Sequence, residues 1–333
     1  MEVDLFCSML TELPEIDPEV DFLIISANEL RELPRSIANL RKLEVIFANS
    51  NHLTELPRNI GQLKNLTSLY LSDNELTHLP LGIGDLSNLE ELKLNDNQLT
   101  SLPRTLRKLS KLKILQLDEN QFTEYPSVIN YLTNLTELTL QNIPLKNFPP
   151  GLTRLTSLTI LSLHDTQLTG LSPEIGRLTN LEELYLGSNQ ITDFSGLDRL
   201  RRLTYLDLQD NKLDFLPIEV THLTNLKTLV IYSNQLREFP PEIGNMTSLK
   251  SLEASDNQLN EIPPEIGQLV NLKQLYLYNN QLSSLPDEIN LLTKMERFLI
   301  YGNPIRFFPE SIELTPEVAV MYPGFQKRPT FGR

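Results

Sequence analysis

The chain has 333 residues and carries 43 acids against 29 lysines and arginines, a formal net charge of −14, with one cysteine and no tryptophan. Such a balance repels phosphate and anionic lipid, which disfavours nucleic acid and membrane surfaces as partners, and a lone Cys7 excludes a disulfide framework. The acidic start, Met1-Glu2-Val3-Asp4, lacks the basic region and apolar run of a secretory signal, and no segment has the length of a membrane span, so a reducing, cytoplasmic setting is expected.

In chain order, residues 1–19 read as an N-terminal cap or incomplete repeat, in which Leu5, Ser8, Leu10, Leu13 and Pro14 match the spacing of the later copies in part and Ser8 stands where those copies carry asparagine. From 20 to 312 one unit recurs. Its marker is an asparagine, at Asn28, Asn51, Asn74, Asn97 and Asn120, then Asn189, Asn211, Asn234, Asn257, Asn280 and Asn303. The spacing is 23 residues, except that Asn211 follows Asn189 by 22; between Asn120 and Asn189, Ile143 and Thr166 occupy the two intervening marker positions. Thirteen copies of so short a unit cannot each bury an apolar face alone, so they must stack into a solenoid.

One copy shows how. Leu69-Tyr70-Leu71 alternates buried with exposed, the period of a strand with one covered face. Beyond Asn74 the apolar spacing widens through Leu76, Leu79, Ile83 and Leu86, while Pro80 and Gly84 oppose a long helix. Each coil is therefore expected to be a short strand, a corner and a return of loops and short helical turns, with strands side by side in a parallel sheet. At the inward corner, an amide side chain can answer buried backbone donors and acceptors together, and repetition makes the asparagines a structural ladder.

The pattern L-x-x-L-x-L-x-x-N-x-L followed by x-x-L-P-x-x-I-x-x-L, legible in Leu249, Leu252, Ala254, Asn257, Leu259, Ile262, Pro263, Ile266 and Leu269, resembles the leucine-rich repeat in its 23-residue cytoplasmic and bacterial form. That resemblance implies an α/β solenoid, a curved horseshoe with the parallel sheet on its concave face and loops and short helical turns on its convex face. It also resembles Ras-group repeats of plants and animals, a likeness that leaves the partner open.

Departures are informative too. Thr166 can offer a hydroxyl in place of the amide, whereas Ile143 cannot, so the ladder should be interrupted there, with backbone amides from about 140 to 170 less protected. Ile191 to Leu197 replaces the Leu-Pro arc with a shorter variant, and Ser172-Pro173 displaces the usual order; both fit neutral drift or an altered hinge. Residues 313–333 form the expected C-terminal cap and tail, with Thr315-Pro316-Glu317 opening a helix and Tyr322-Pro323-Gly324 ending it.

No catalytic motif, cofactor site or metal site emerges. His52, His78, His164 and His222 fall in different coils without ligand spacing, Cys7 has no histidine near it in sequence, and Gly82-Ile83-Gly84 lacks the remainder of a phosphate-binding loop. The sequons at Asn65, Asn134 and Asn245 read as by-products of a recurring Asn-Leu-Thr. A non-enzymatic reading results, and it turns attention to the surface.

In each coil, pattern positions three, five, seven and eight should face the concave side. Tyr185, Tyr205, Tyr232, Tyr276, Tyr278 and Tyr301 fall on those positions in the last six coils, and Asp207 and Glu253 lie between them. This tract is the first candidate for partner binding. A second patch, Phe22, Ile24, Val45, Phe47 and Tyr70, gathers apolar side chains in the first three coils, either as an interface or as a surface under the N-terminal cap. Acids at Asp73, Glu91, Asp96, Asp118, Glu119, Glu137, Asp165, Glu183, Asp210 and Asp256 join Asp207 and Glu253 on the same positions, opposed by Lys93 and Arg297 alone. The expected function is a scaffold-like protein-binding module for signal transduction, taking a partner with a basic surface; the alternatives are the recognition domain of a larger signalling protein, such as a repeat-bearing GTPase, or a bacterial effector acting on host proteins.

Overall fold

The computed structural model describes residues 1–306, 308 and 309; the cap and tail expected over 313–333, and the end of the last repeat, lie outside these residues. The chain divides into two compact units at Thr166 and Gln167. In the first, eight parallel strands lie in sequence order: β1 (Glu2–Asp4), β2 (Phe22–Ile24), β3 (Val45–Phe47), β4 (Ser68–Tyr70), β5 (Glu91–Lys93), β6 (Ile114–Gln116), β7 (Glu137–Thr139) and β8 (Ile160–Ser162). In the second there are six: β9 (Glu183–Tyr185), β10 (Tyr205–Asp207), β11 (Thr228–Val230), β12 (Ser251–Glu253), β13 (Gln274–Tyr276) and β14 (Arg297–Leu299).

Register follows the repeat. Leu23 pairs with Ile46, Ile46 with Leu69 and Leu69 with Leu92, so from β2 onward the central residue of each strand stacks on its counterpart and is buried while its neighbours look outward. After each corner the chain returns through a single helical turn of the 3-10 type in most coils, such as Leu81–Asp85 and Pro264–Gln268, and of the α type at Ile218–Thr221. Proline precedes many of these turns; Pro80 and Pro263 hold φ at −68° and −70° in extended backbone, which fixes the entry angle and gives up no ladder bond. The Ile-Gly pair inside the turn has a steric reason. A Cβ on Gly84 would lie 2.1 Å from the Thr105 carbonyl oxygen of the next coil, so only glycine allows the turns to stack this closely.

The marker asparagines form the expected ladder. Asn97 is 6% exposed; its Nδ2 donates to the carbonyls of Leu71, Leu94 and Asn95 at 2.9 to 3.2 Å, and its Oδ1 accepts from the Leu76 amide at 3.0 Å. Leu71 and Leu76 belong to the preceding coil, so each asparagine ties its own corner to its neighbour's. The first coil obeys the same geometry: Asn28 donates to the Leu5 carbonyl and accepts from the amides of Ser8 and Leu10, which puts Ser8 in the marker position.

Ile143 and Thr166 break the pattern as their chemistry dictates. Ile143 is fully buried and gives the Phe122 amide no side-chain acceptor, whereas the Leu99 amide, one coil earlier, donates to Asn120 Oδ1 at 2.9 Å. The Thr166 hydroxyl donates to the Leu163 carbonyl at 2.8 Å, and the Leu145 amide donates to the Thr166 backbone carbonyl at 2.9 Å. This arrangement goes with extra left-handed residues, Lys146 and Gln167, both at φ 60°. Ile143 supplies no side-chain rung between coils, and amide hydrogen exchange should be faster from about 140 to 170 than in the coils ending at Asn97 or Asn257. Installing asparagine at both Ile143 and Thr166 should slow it, while uniform protection in the parent chain would show that packing alone compensates.

The shortened repeat is also explained locally. Asp193 accepts from the Ser195 amide and hydroxyl and bridges to Gly170, and Gly196 then adopts φ 86° before the turn Leu197–Arg199. A Cβ there would meet the Pro173 carbonyl oxygen at 2.4 Å.

Candidate functional site

Strand alternation sets the outward face of the second unit in rows. At the third pattern position the row reads Glu183, Tyr205, Thr228, Ser251, Gln274, Arg297; at the fifth it reads Tyr185, Asp207, Val230, Glu253, Tyr276, Leu299. Two positions beyond the fifth stand Tyr232, Tyr278 and Tyr301. Consecutive coils bring the rings together: Tyr185 and Tyr205 have centroids 4.9 Å apart, and Tyr278 and Tyr301 stack at 4.7 Å with planes 3° apart. An aromatic pair therefore sits at each end of the tract, with Asp207, Tyr232 and Glu253 between them. All six tyrosines are half-buried, packed against neighbours yet still accessible in part.

Electrostatically the tract is acidic apart from Arg297 at its end. Burial pushes the Tyr205 hydroxyl up to about 12, assisted by the charges of Asp207, Glu253 and Glu183. The Tyr185 hydroxyl, 2.7 Å from Glu183 Oε2, is raised as well, by burial first and then by that carboxylate, and Tyr232 rises for the same kinds of reason. These three tyrosines are neutral hydrogen-bond donors at neutral pH. Asp207 is only 6% exposed and accepts from the Gln209 amide at 2.9 Å. Burial, then the Asp207 charge, raises the Glu253 carboxyl above its ordinary 4.5.

That shift has a defined consequence for stability. Because the folded state holds Glu253 at a raised value, the fold favours its protonated form; this contribution is complete below the ordinary value and is lost as pH rises through the raised one. Glu253→Gln should accordingly raise the melting temperature near neutral pH, with the advantage shrinking toward acid. Equal melting temperatures for parent and variant at neutral pH would show that Glu253 bears no such burden.

The first unit carries the second candidate patch. Phe22 is 38% exposed, Ile24, Phe47 and Tyr70 are half-buried, and Val45 is buried. Phe47 and Tyr70 stack at 4.7 Å, Lys93 Nζ lies 5.4 Å from the Tyr70 ring centroid, and the Tyr70 hydroxyl donates to Glu91 Oε2 at 2.6 Å. The N-terminal segment does not close over these side chains: β1 extends the sheet beside β2, Glu2 opposite Phe22, and leaves Phe22 outward. Val45 is largely sealed by its neighbours, so this patch offers less apolar surface than its sequence suggests.

Two features escape a reading by charge and hydropathy. The acids at the eighth position, Asp73, Asp96, Glu119, Asp165, Asp210 and Asp256, all adopt φ between 50° and 57°, immediately before the marker position. Aspartate tolerates this left-handed geometry better than most residues, so the five aspartates among these six have a conformational reason as well as a charge; the signal was the company of Asn142, Asn279 and Gly302 at the same position. A second ladder runs along the edge before the strands, where Asn65, Asn88, Asn134, Asn225 and Asn271 each donate Nδ2 to a carbonyl 24 residues earlier. The Asn-Leu-Thr sequons at 65 and 134 are therefore parts of this ladder. Its period was visible in the recurring Asn-Leu.

Among the described residues, no group of three or more histidines, cysteines, aspartates or glutamates is placed to hold a metal ion, and no helix is long and apolar enough to cross a membrane. Cys7 is exposed at φ 51° and His164 stands half-buried beside Asp165.

Single-residue stacking of short parallel strands, a buried asparagine at each corner and a one-turn return define a leucine-rich repeat solenoid in each unit. Sequence comparison agrees: a profile described as a leucine-rich repeat region matches residues 20–98, and leucine-rich repeat profiles match 88–109, 156–213, 201–259 and, in a two-copy form, 247–294. The chain belongs to the leucine-rich repeat family. A leucine-rich repeat protein of Leptospira interrogans is 34% identical over 96% of this chain and 92% of its own, with a TM-score of 0.77. YopM, a leucine-rich effector protein of Yersinia pestis, is 28% identical over 92% of this chain and 79% of its own, at 0.73. An internalin of Listeria monocytogenes is 30% identical over 78% and 81%, at 0.64. No protein of curated function matches the sequence. Repeats of this family are typically protein-binding modules, and no catalytic family is indicated.

Proposed function

We propose that the chain is a non-enzymatic, cytoplasmic protein-binding module that holds a partner with a basic surface on the sheet face of its second unit. The observation that carries this reading is the pairing of rings on either side of a buried and a half-buried carboxylate: Tyr185 with Tyr205 and Tyr278 with Tyr301, with Asp207, Tyr232 and Glu253 between them. Aromatic rings held by a rigid sheet give large contact area at low entropic cost, and carboxylates among them reward a lysine or arginine that displaces their water. In this reading 1–19 covers one edge of the array, 20–312 presents the surface and 313–333 covers the other edge.

The test uses a partner captured by the parent chain. Neutralising Asp207 and Glu253, to Asn and Gln, should slow association and flatten its dependence on salt, with a smaller effect on dissociation. An association rate and salt slope identical to the parent's would contradict the assignment. A second reading is favoured by the extent of the likeness to YopM: a bacterial effector acting on host proteins. Delivery of a tagged chain into infected host cells by its own organism would support it, and retention in the bacterium would exclude it.

A further inference from the structure

Along the edge that leads into the strands of the second unit, one residue per coil stands in register. The amide of Thr204 bonds to the Glu182 carbonyl, Lys227 to Thr204, Lys250 to Lys227, Lys273 to Lys250 and Glu296 to Lys273, at 2.7 to 2.8 Å throughout. Three consecutive coils thus place a lysine at the same position, about 4.8 Å apart at the backbone. The equivalent row of the first unit, Glu44, Thr67, Glu90, Lys113, Thr136 and Thr159, alternates instead, and its one lysine pairs with Glu90 at 2.6 Å. In the second unit Lys273 pairs with Glu296 at 2.6 Å, while Lys227 and Lys250 have no ion pair or side-chain hydrogen bond among the described residues. Both are exposed.

Lys227 and Lys250 line a groove of about 620 Å³ that also takes in Arg201, Arg202, Asn225 and a single acid, Glu182. Like charges at this spacing repel one another, and solvated lysines gain nothing from being aligned. In a chain of net charge −14, a local run of unpaired cations is the complement of a short anionic ligand. Its ends are marked: Glu182 and Glu296 close the row, which limits the ligand to a few charges and works against a long polyanion. The groove also offers an acceptor. Asn225 spends its Nδ2 on the Arg201 carbonyl, leaving Oδ1 for a donor, which a peptide N–H supplies and a phosphodiester backbone does not.

We propose that this edge is a second docking site, separate from the tyrosine tract, for a short acidic peptide segment of another protein, its carboxylates on Lys227 and Lys250 and its backbone amide on Asn225. The site does not depend on the function assigned to the sheet face.

A fluorescent oligoglutamate peptide and a thymidylate strand of equal charge serve as probes, each titrated into the full chain at low and moderate salt. The peptide should bind in a salt-sensitive manner, and Lys227→Glu with Lys250→Glu should weaken it by about tenfold or more. The same charge change at Lys111 and Lys113, and the pair Tyr232→Ala with Tyr276→Ala, should leave it unchanged. If the double glutamate variant melts early, Lys227→Gln with Lys250→Gln replaces it and should still weaken binding. No peptide binding, equal loss from the first-unit variants, or a thymidylate strand binding as tightly as the peptide would overturn the proposal.

Discussion

Replacing Asn257 with leucine should lower stability by about 3 kcal/mol although the new side chain is apolar and of similar size. Asn257 is 8% exposed; its Nδ2 donates to the carbonyls of Ile231, Ala254 and Ser255, and its Oδ1 accepts from the Leu236 amide at 3.0 Å. Leucine would leave the Leu236 amide and carbonyls in two coils buried without their partner, and an unmade buried hydrogen bond costs more than a made one contributes. The loss should propagate, because each coil contacts its neighbours and loosening one corner weakens the next. Chemical denaturation checks this as a lowered midpoint, with the same substitution at Asn97 behaving alike. A midpoint equal to the parent's at both sites would mean that the ladder follows from packing and does not sustain it.

The second large effect concerns binding. Tyr232→Ala with Tyr276→Ala should weaken a captured partner by about 2 kcal/mol or more while the fold persists. Both side chains lie on the outward face and neither serves the asparagine ladder through its ring, so their removal takes away contact area and not core. Tyr276 stands opposite Glu253 in the strand register, and Tyr232 lies close enough to Asp207 and Glu253 for both to raise its hydroxyl. The double substitution therefore removes two rings beside the carboxylates while both ring pairs remain. Titration calorimetry on parent and variant measures the change, and retained affinity would move attention to the tract from Phe22 to Tyr70.

Much of the fold was legible because the repeat fixes it through a few residue types. A leucine triplet at alternate positions forces the strand, proline and glycine punctuate the return, and Asn28 to Asn303 announce the corner. What sequence could not supply was the geometry between coils. Asn65 and Asn134 look like incidental sequons until their amides are seen to reach Arg41 and Ser110. Asp73 and Asp256 read as charge, yet their position in the chain is set by a left-handed backbone. Ile143 reads as a lost rung and is one, since it offers the Phe122 amide no side-chain acceptor, whereas at the next marker the backbone takes part, the Leu145 amide donating to the Thr166 carbonyl. The tyrosines were assignable to a face from register alone, but which rings touch depends on side-chain directions that alternate between rows: Tyr185 meets Tyr205 from neighbouring rows, while Tyr278 meets Tyr301 within one. The patch from Phe22 to Tyr70 offers less apolar surface than its residues suggest, since Val45 is buried.

Site-specific photo-crosslinking tests the central claim most directly. A photoreactive phenylalanine analogue placed at Tyr232 or Tyr278 should join a single basic partner in cells that make the chain, and the same analogue at Phe215, exposed on the return side of its coil, should not. Adducts formed equally from Phe215, or from Phe22 in preference to Tyr232 and Tyr278, would contradict the assignment of the binding face.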